Sequence, residues 1–210
     1  MLSEKSYRTV EKEAVSEYKE KKSVFLGYCK SVQTEEEAIR FIEKIKAKHR
    51  DARHNVYAYC LREGHTKRYS DDGEPQGTAG TPILDIIVKN ELTDIVIVVT
   101  RYFGGILLGT GGLVRAYSTS AKQAIERAEI ITMTPCVVFT LQCDYNQYGK
   151  ISSFIPQIGG IIDNSVFGTE ISIEFHLPTD SKDIFCKKLA DITSGSIVPK
   201  EEFCDFYAIK

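Results

Sequence analysis

Residues 94–117 read DIVIVVTRYFGGILLGTGGLVRAY. The run DIVIVVT (94–100) is apolar and β-branched, the pattern of a strand buried on both faces. GGILLGTGG (104–112) then breaks any regular period. From Leu113 onward, small and apolar residues recur at 113, 116, 117, 121, 124 and 128, one face of a helix. The stretch therefore predicts a buried strand feeding through glycines into a helix, and it places a helix start beside a strand end. A helix start exposes unpaired N–H groups and a partial positive charge, so anions bind there. Gly104, Gly105, Gly109, Gly111 and Gly112 let backbone amides converge, and Thr110 adds a hydroxyl. Arg101 and Arg115 offer planar forks for phosphate, with Tyr102 alongside. No Lys-Ser/Thr follows the glycines, so this is not a Walker loop. Tight turns that merely pack strand against helix remain the alternative reading.

A second stretch, DDGEPQGTAGTP (71–82), suits neither helix nor strand. Asp71, Asp72 and Glu74 form a carboxylate cluster of the kind that holds Mg²⁺. The competing reading is a stiff turn, because Asp72-Gly73 is a turn signal and Pro75 stiffens its exit. Clustered carboxylates repel one another and need a cation or an arginine, for which Arg53, Arg68 and Arg101 are available. The favoured expectation is an acid–arginine network that braces the glycine loop. His54 is the candidate general base, with a hydrogen-bonded structural histidine as the alternative. Tyr57 and Tyr59 share one strand face and serve either as core or as a stacking platform.

Outward from these stretches, strands are expected around 7–19 and at 23–32 and 55–63. A helix is expected over 34–50, with Thr34 and Glu37 as a capping box and Ala38, Phe41, Ile42 and Ile45 as its apolar stripe. Beyond Thr132, 137–144 alternates and 148–158 has helical spacing. Residues 161–168 and 171–177 read as a hairpin, with His176 facing outward into solvent. A helix over 181–194, capped by Asp180 and stopped by Gly195, leads into a strand at 197–209. That order, β-α-β-β-α-β, is ferredoxin-like. The expected class is α+β, with domains at 1–132 and 133–210.

Composition narrows the function classes. The 210 residues are 42% hydrophobic and 27% charged, those of an ordinary globular chain with a net charge of −2. Residues 1–132 hold 21 Lys/Arg against 19 Asp/Glu, and the remainder 6 against 10, so a polyanion would meet a local patch rather than a global field. Six scattered cysteines form no C-x-x-C pair, which argues against zinc and for free buried thiols in a reducing compartment. No apolar run reaches membrane-spanning length and no signal sequence opens the chain. A cytoplasmic location without membrane contact is expected.

SVFLG (23–27), HNVYAY (54–59), SDDGEPQGTAGTPIL (70–84) and VVTRYFGGILLGTGGLVRAY (98–117) together resemble the YigZ/IMPACT family. That resemblance implies a first domain with the left-handed β-α-β fold of a ribosomal small-subunit protein, translation factors and GHMP kinases. It also implies a second domain like parts of elongation factor G. Eukaryotic members restrain a starvation-sensing kinase with an added N-terminal RWD domain, for which residues 1–22 leave no room, so kinase regulation is not carried over. The function expected is binding of RNA or the ribosome in regulation of translation or stress, through Arg101, Tyr102, Thr110 and Arg115. One alternative is a Mg²⁺-dependent hydrolase or transferase on a phosphorylated small molecule, with His54 as base. Another is a regulator that acts through a protein partner. The sequence fixes no oligomeric state.

Overall fold

The computed structural model describes residues 5–209. In chain order the elements are β1 (Tyr7–Val10), β2 (Ala14–Glu20), β3 (Ser23–Ser31), α1 (Glu35–Lys48), β4 (His54–Cys60), β5 (Lys67–Ser70), α2 (Gly80–Lys89), β6 (Ile95–Tyr102) and α3 (Thr110–Ala128). There follow β7 (Ile130–Cys143), α4 (Tyr145–Gln157), β8 (Ile161–Phe167), β9 (Ile171–Pro178), α5 (Lys182–Thr193) and β10 (Lys200–Ala208). The chain divides into two compact units, Tyr7–Ile131 and a second beginning at Thr132.

The first unit is built on a sheet of order β2–β3–β6–β4–β5, with every neighbouring pair antiparallel. β3 and β4 flank β6 and run parallel to each other, joined through α1 in a split β-α-β unit. β6 is buried from Ile95 to Arg101, as its continuous apolar run requires. Side chains alternate along it: Ile95, Ile97 and Val99 join the core that includes α2 and α3 residues, while Val96 and Val98 join the α1 side. Each such aliphatic side chain contributes about 1.5–3 kcal/mol by leaving water. α3 presents Ala116, Ser120, Ala121 and Ala124, all buried, and comes close enough that a Cβ at Gly27 would stand 2.7 Å from the Ser120 carbonyl oxygen. Tyr59 is buried and Tyr57 half-buried on the α1 side, so these rings are core rather than a stacking platform.

α1 begins as expected, with the Thr34 hydroxyl accepting from the Glu37 amide at 3.2 Å. Glu37 returns the bond to the Gln33 amide at 2.8 Å rather than to Thr34. α2 was not foreseen, because it starts inside the glycine-rich stretch. α3 begins at Thr110, three residues before its apolar stripe.

In the second unit the strands lie in the order β10–β7–β9–β8, all antiparallel, with α4 and α5 inserted after β7 and β9. The fourth strand beside the first, and the third between first and second, is the ferredoxin-like arrangement. Its core gathers Phe139, Phe154, Phe175 and Phe185, with ring centroids 5.0 Å apart for the closest pair, Phe175 and Phe185. Two expectations fail here. Asp180 does not cap α5, which starts at Lys182 after Ser181 with no side-chain cap. His176 is buried, not solvated: its Nδ1 lies 2.9 Å from both carboxylate oxygens of Asp163, and its ring stacks on Tyr207 at 3.9 Å. A register shift between Ile162 and Asn164 accompanies the Asp163 position, and the ring of Tyr207 on β10 covers that face of the sheet. Four of the six cysteines are buried and all six are free, which fits the thiol expectation.

His49, at the end of α1, is buried and held between two tyrosines. Its Nε2 is 2.5 Å from the Tyr28 hydroxyl and its Nδ1 2.8 Å from that of Tyr102. Burial lowers its pKa below the ordinary 6.5, helped by the Lys48 charge and opposed by Asp51. In mildly acid solution the unfolded chain therefore binds a proton that the folded chain refuses, and stability rises with pH. That contribution is full above the unfolded value and is lost as pH falls toward the folded one. Melting temperatures measured between about pH 7.5 and about pH 5 should fall more steeply for wild type than for His49→Gln; equal slopes would contradict this role.

Candidate functional site

The stretch 71–79 is a closed loop whose three acids perform three different tasks. The Asp71 carboxylate accepts from the amides of Gly77 at 2.8 Å, Ala79 at 3.1 Å and Gly80 at 2.8 Å. It thereby caps the start of α2 from nine residues upstream, where the N-cap residue Ala79 has no side chain to offer. Asp72 turns the chain with a left-handed φ of 43°, followed by Gly73 at 85°. Its Oδ2 accepts from the Asn55 amide at 2.6 Å, and Lys46 Nζ stands 3.6 Å from Oδ1. The loop is thus clamped to β4, and Asn55 in turn accepts from the Thr100 hydroxyl on β6 at 2.7 Å.

Glu74, carried inward by this turn, is 4% exposed at its side chain. Its Oε1 accepts from Arg101 Nη1 at 2.6 Å and from the Tyr117 hydroxyl at 2.8 Å. Burial, the Glu74 charge and this bond all raise the Tyr117 pKa, so its hydroxyl keeps its proton and donates. His54 donates Nδ1–H to the Asp72 carbonyl at 2.8 Å and holds Nε2 3.9 Å from Glu74 Oε1. The Arg101 side chain is 6% exposed, and its Nε is buried with no partner among the described residues.

Of these groups His54, Glu74 and Arg101 floor a cleft of about 380 Å³. One wall carries Arg53, Gly73 and Pro75; the other carries Phe103, Leu107, Leu108, Gly109, Thr110 and Leu113. The second wall is the glycine loop. A Cβ on Gly104 would lie 2.1 Å from the carbonyl group of Lys22, so only glycine fits there. Gly105 and Gly109 take positive φ, 81° and 72°. Gly109 leads into α3 with no side-chain cap, leaving the first amides of a 19-residue helix at the cleft.

Of the residues expected to hold an anion, Arg101, Gly109 and Thr110 line this cleft together. Gly111 and Gly112 follow in the first turn of α3, and Gly104 and Gly105 shape the loop. Tyr102 and Arg115 do not belong. Tyr102 points to the α1 side, bonding His49 and, at 3.1 Å, Asp51. Arg115 is exposed on α3 and contributes no lining. The alternative metal set is not assembled, since Asp71, Asp72 and Glu74 each engage different partners. Among the described residues no three His, Cys, Asp or Glu side chains sit where they could hold a metal ion. Pro75, Leu107, Leu108 and Leu113 were missed as lining; apolar residues in a glycine loop carry no signal that distinguishes them from packing.

A two-domain α+β protein with a cleft at the end of a buried strand is what the geometry defines. Comparison with known proteins then places it. The Impact N-terminal domain model matches residues 21–125, and a domain of unknown function matches 141–196. The chain is 35% identical over 197 residues to IMPACT family member YvyE of Bacillus subtilis, covering 93% of this chain and 91% of that one. It is 39% identical over 180 residues to IMPACT family member YigZ of Escherichia coli, covering 84% and 88%. A solved structure described as that of a hypothetical protein superposes with a TM-score of 0.60 at 35% identity over 98% of both chains. The chain belongs to the IMPACT family. No helix among the described residues is long and apolar enough to cross a membrane.

The three bonds on Asp71 make it the structural pin of the loop. Asp71→Ala should cost about 2 kcal/mol and lower the melting temperature of the first unit by roughly 5 °C, with or without Mg²⁺. Stabilisation by Mg²⁺ that the variant loses would instead make these acids metal ligands.

Proposed function

We propose that the protein is a cytoplasmic RNA-binding regulator acting on the translation machinery, and that a phosphate of its RNA sits in the cleft of the first unit. The observation that carries this reading is Arg101. It is buried, commits only Nη1 to the protein among the described hydrogen bonds, and lines the same cleft as the uncapped start of α3. A guanidinium with donors to spare beside free helix amides is complementary to a phosphate.

The rim supports a nucleic acid over a bare anion. Phe103 is 41% exposed and Leu107 83% exposed beside the cleft. Single-stranded RNA binds where flat apolar side chains meet a cationic groove, because every base has a face to stack. Arg53 adds an exposed cation at the mouth. Binding then depends on this local site rather than on net charge, so few phosphates are neutralised and the salt dependence is shallow.

The test is binding of purified protein to ribosomes and to a labelled single-stranded oligoribonucleotide across a salt series, beside Thr110→Asp. An acid at the first position of α3 suits the helix dipole, so the variant folds, while its charge opposes phosphate. Wild type should bind with a slope near −0.7 per phosphate contacted, and the variant should bind at least about tenfold more weakly. Absence of salt-sensitive binding by wild type, with turnover of a phosphorylated small molecule, would replace this reading by an enzyme using His54.

A further inference from the structure

The cleft presents acceptors as well as donors, and its acceptors have no assigned task. Oε1 of Glu74 takes both bonds from Arg101 and Tyr117, whereas Oε2 takes none among the described residues. Glu74 lines the cleft with a side chain only 4% exposed. Beside it, His54 has a fixed tautomer. Its Nδ1 faces the Asp72 carbonyl at 2.8 Å, and a carbonyl oxygen only accepts, so Nδ1 carries the hydrogen. In the neutral ring Nε2 is then a lone pair. It lies on the Glu74 side, 3.9 Å from Oε1, in a side chain 12% exposed.

A carboxylate oxygen at the cleft and a locked imidazole acceptor repel an anion and attract a hydroxyl. The neighbouring walls do the reverse: Arg101, Arg53 and the first amides of α3 attract an anion and have nothing to give a hydroxyl hydrogen except the Thr110 side chain. A ligand that satisfies both halves carries a phosphate and a hydroxyl donor a few bonds apart. A ribose phosphate is such a group, and a deoxyribose phosphate inside a strand lacks the donor. Sites built to bond a hydroxyl reject the analogue without it, because their buried acceptors would be left unpaired.

We infer that His54 Nε2, beside the Glu74 carboxylate, accepts the hydrogen of the ribose 2′-hydroxyl next to the bound phosphate, so that the cleft selects RNA over DNA. This rests on the RNA reading of the same cleft and assigns His54 a specificity role in place of a catalytic one. Asp72, through its carbonyl, is a positioning residue that sets the tautomer.

The measurement is the affinity of the full chain for matched single-stranded oligouridylate and oligodeoxyuridylate, which differ only in the hydroxyl, with UMP as a third ligand. Wild type should bind the ribo form about tenfold more tightly than the deoxy form. His54→Asn places an amide donor where Nδ1 stood, which keeps the Asp72 bond, and removes the acceptor at Nε2; its ribo-to-deoxy ratio should fall to about one. His54→Gln restores an acceptor near the Nε2 position and should recover part of the preference. Equal affinity of wild type for both oligonucleotides would overturn the inference while leaving RNA-phosphate binding intact, and so would full preference in folded His54→Asn. Binding of neither oligonucleotide would remove the RNA reading and the inference with it. UMP binding at least as tightly as the oligonucleotide would give the cleft to free ribonucleotides, against the inference as stated.

Discussion

The ion pair between Glu74 and Arg101 is the constraint on which the first unit's cleft depends. Both side chains are nearly excluded from water. Desolvating two charges is costly, and their attraction repays it only when the geometry is good and other bonds help. Here Tyr117 supplies a second donor to the same oxygen, and strand β6 fixes the arginine. Losing one partner would leave the other buried and uncompensated, at a cost of about 3–5 kcal/mol. The pair therefore ties the acidic loop to the end of the central strand and holds the cleft's floor in one geometry.

The rest of the acidic stretch serves that aim. Asp71 fastens the loop to the start of α2, and Asp72 fastens it to β4 while its carbonyl orients His54. Three neighbouring carboxylates avoid mutual repulsion because each is neutralised differently, by amides, by an amide with Lys46, and by Arg101. On the opposite wall, Gly104 permits a backbone contact that no other residue allows. The two loops are thus held rigidly enough to present donors and acceptors at defined places, which a binding site needs.

Much of this was legible before any coordinates. The apolar run of β6, the capped α1 and the ferredoxin-like order follow from short-range pattern, and of the expected acid–arginine network only the Glu74–Arg101 pair forms. What failed did so for identifiable reasons. Tyr102 was grouped with Arg101 by proximity, yet side chains alternate along a strand, so the two must face opposite sides. Arg115 lies two residues past Leu113, about 200° around the helix and away from the buried stripe. α2 escaped notice because its cap, Asp71, is distant in sequence and its first turn is Gly-Thr-Pro. His176 obeyed strand alternation, but its outer face is covered by Tyr207 and paired by Asp163, contacts that only the tertiary fold creates.

The most direct test of the account is to follow backbone amide resonances while inorganic phosphate is titrated into the intact protein. If the cleft is an anion site built on the start of α3, the amides of Thr110, Gly111 and Gly112 and the Arg101 Nε–H signal should shift together and saturate. Shifts confined to other surfaces, or no saturable shift at these four groups, would contradict it.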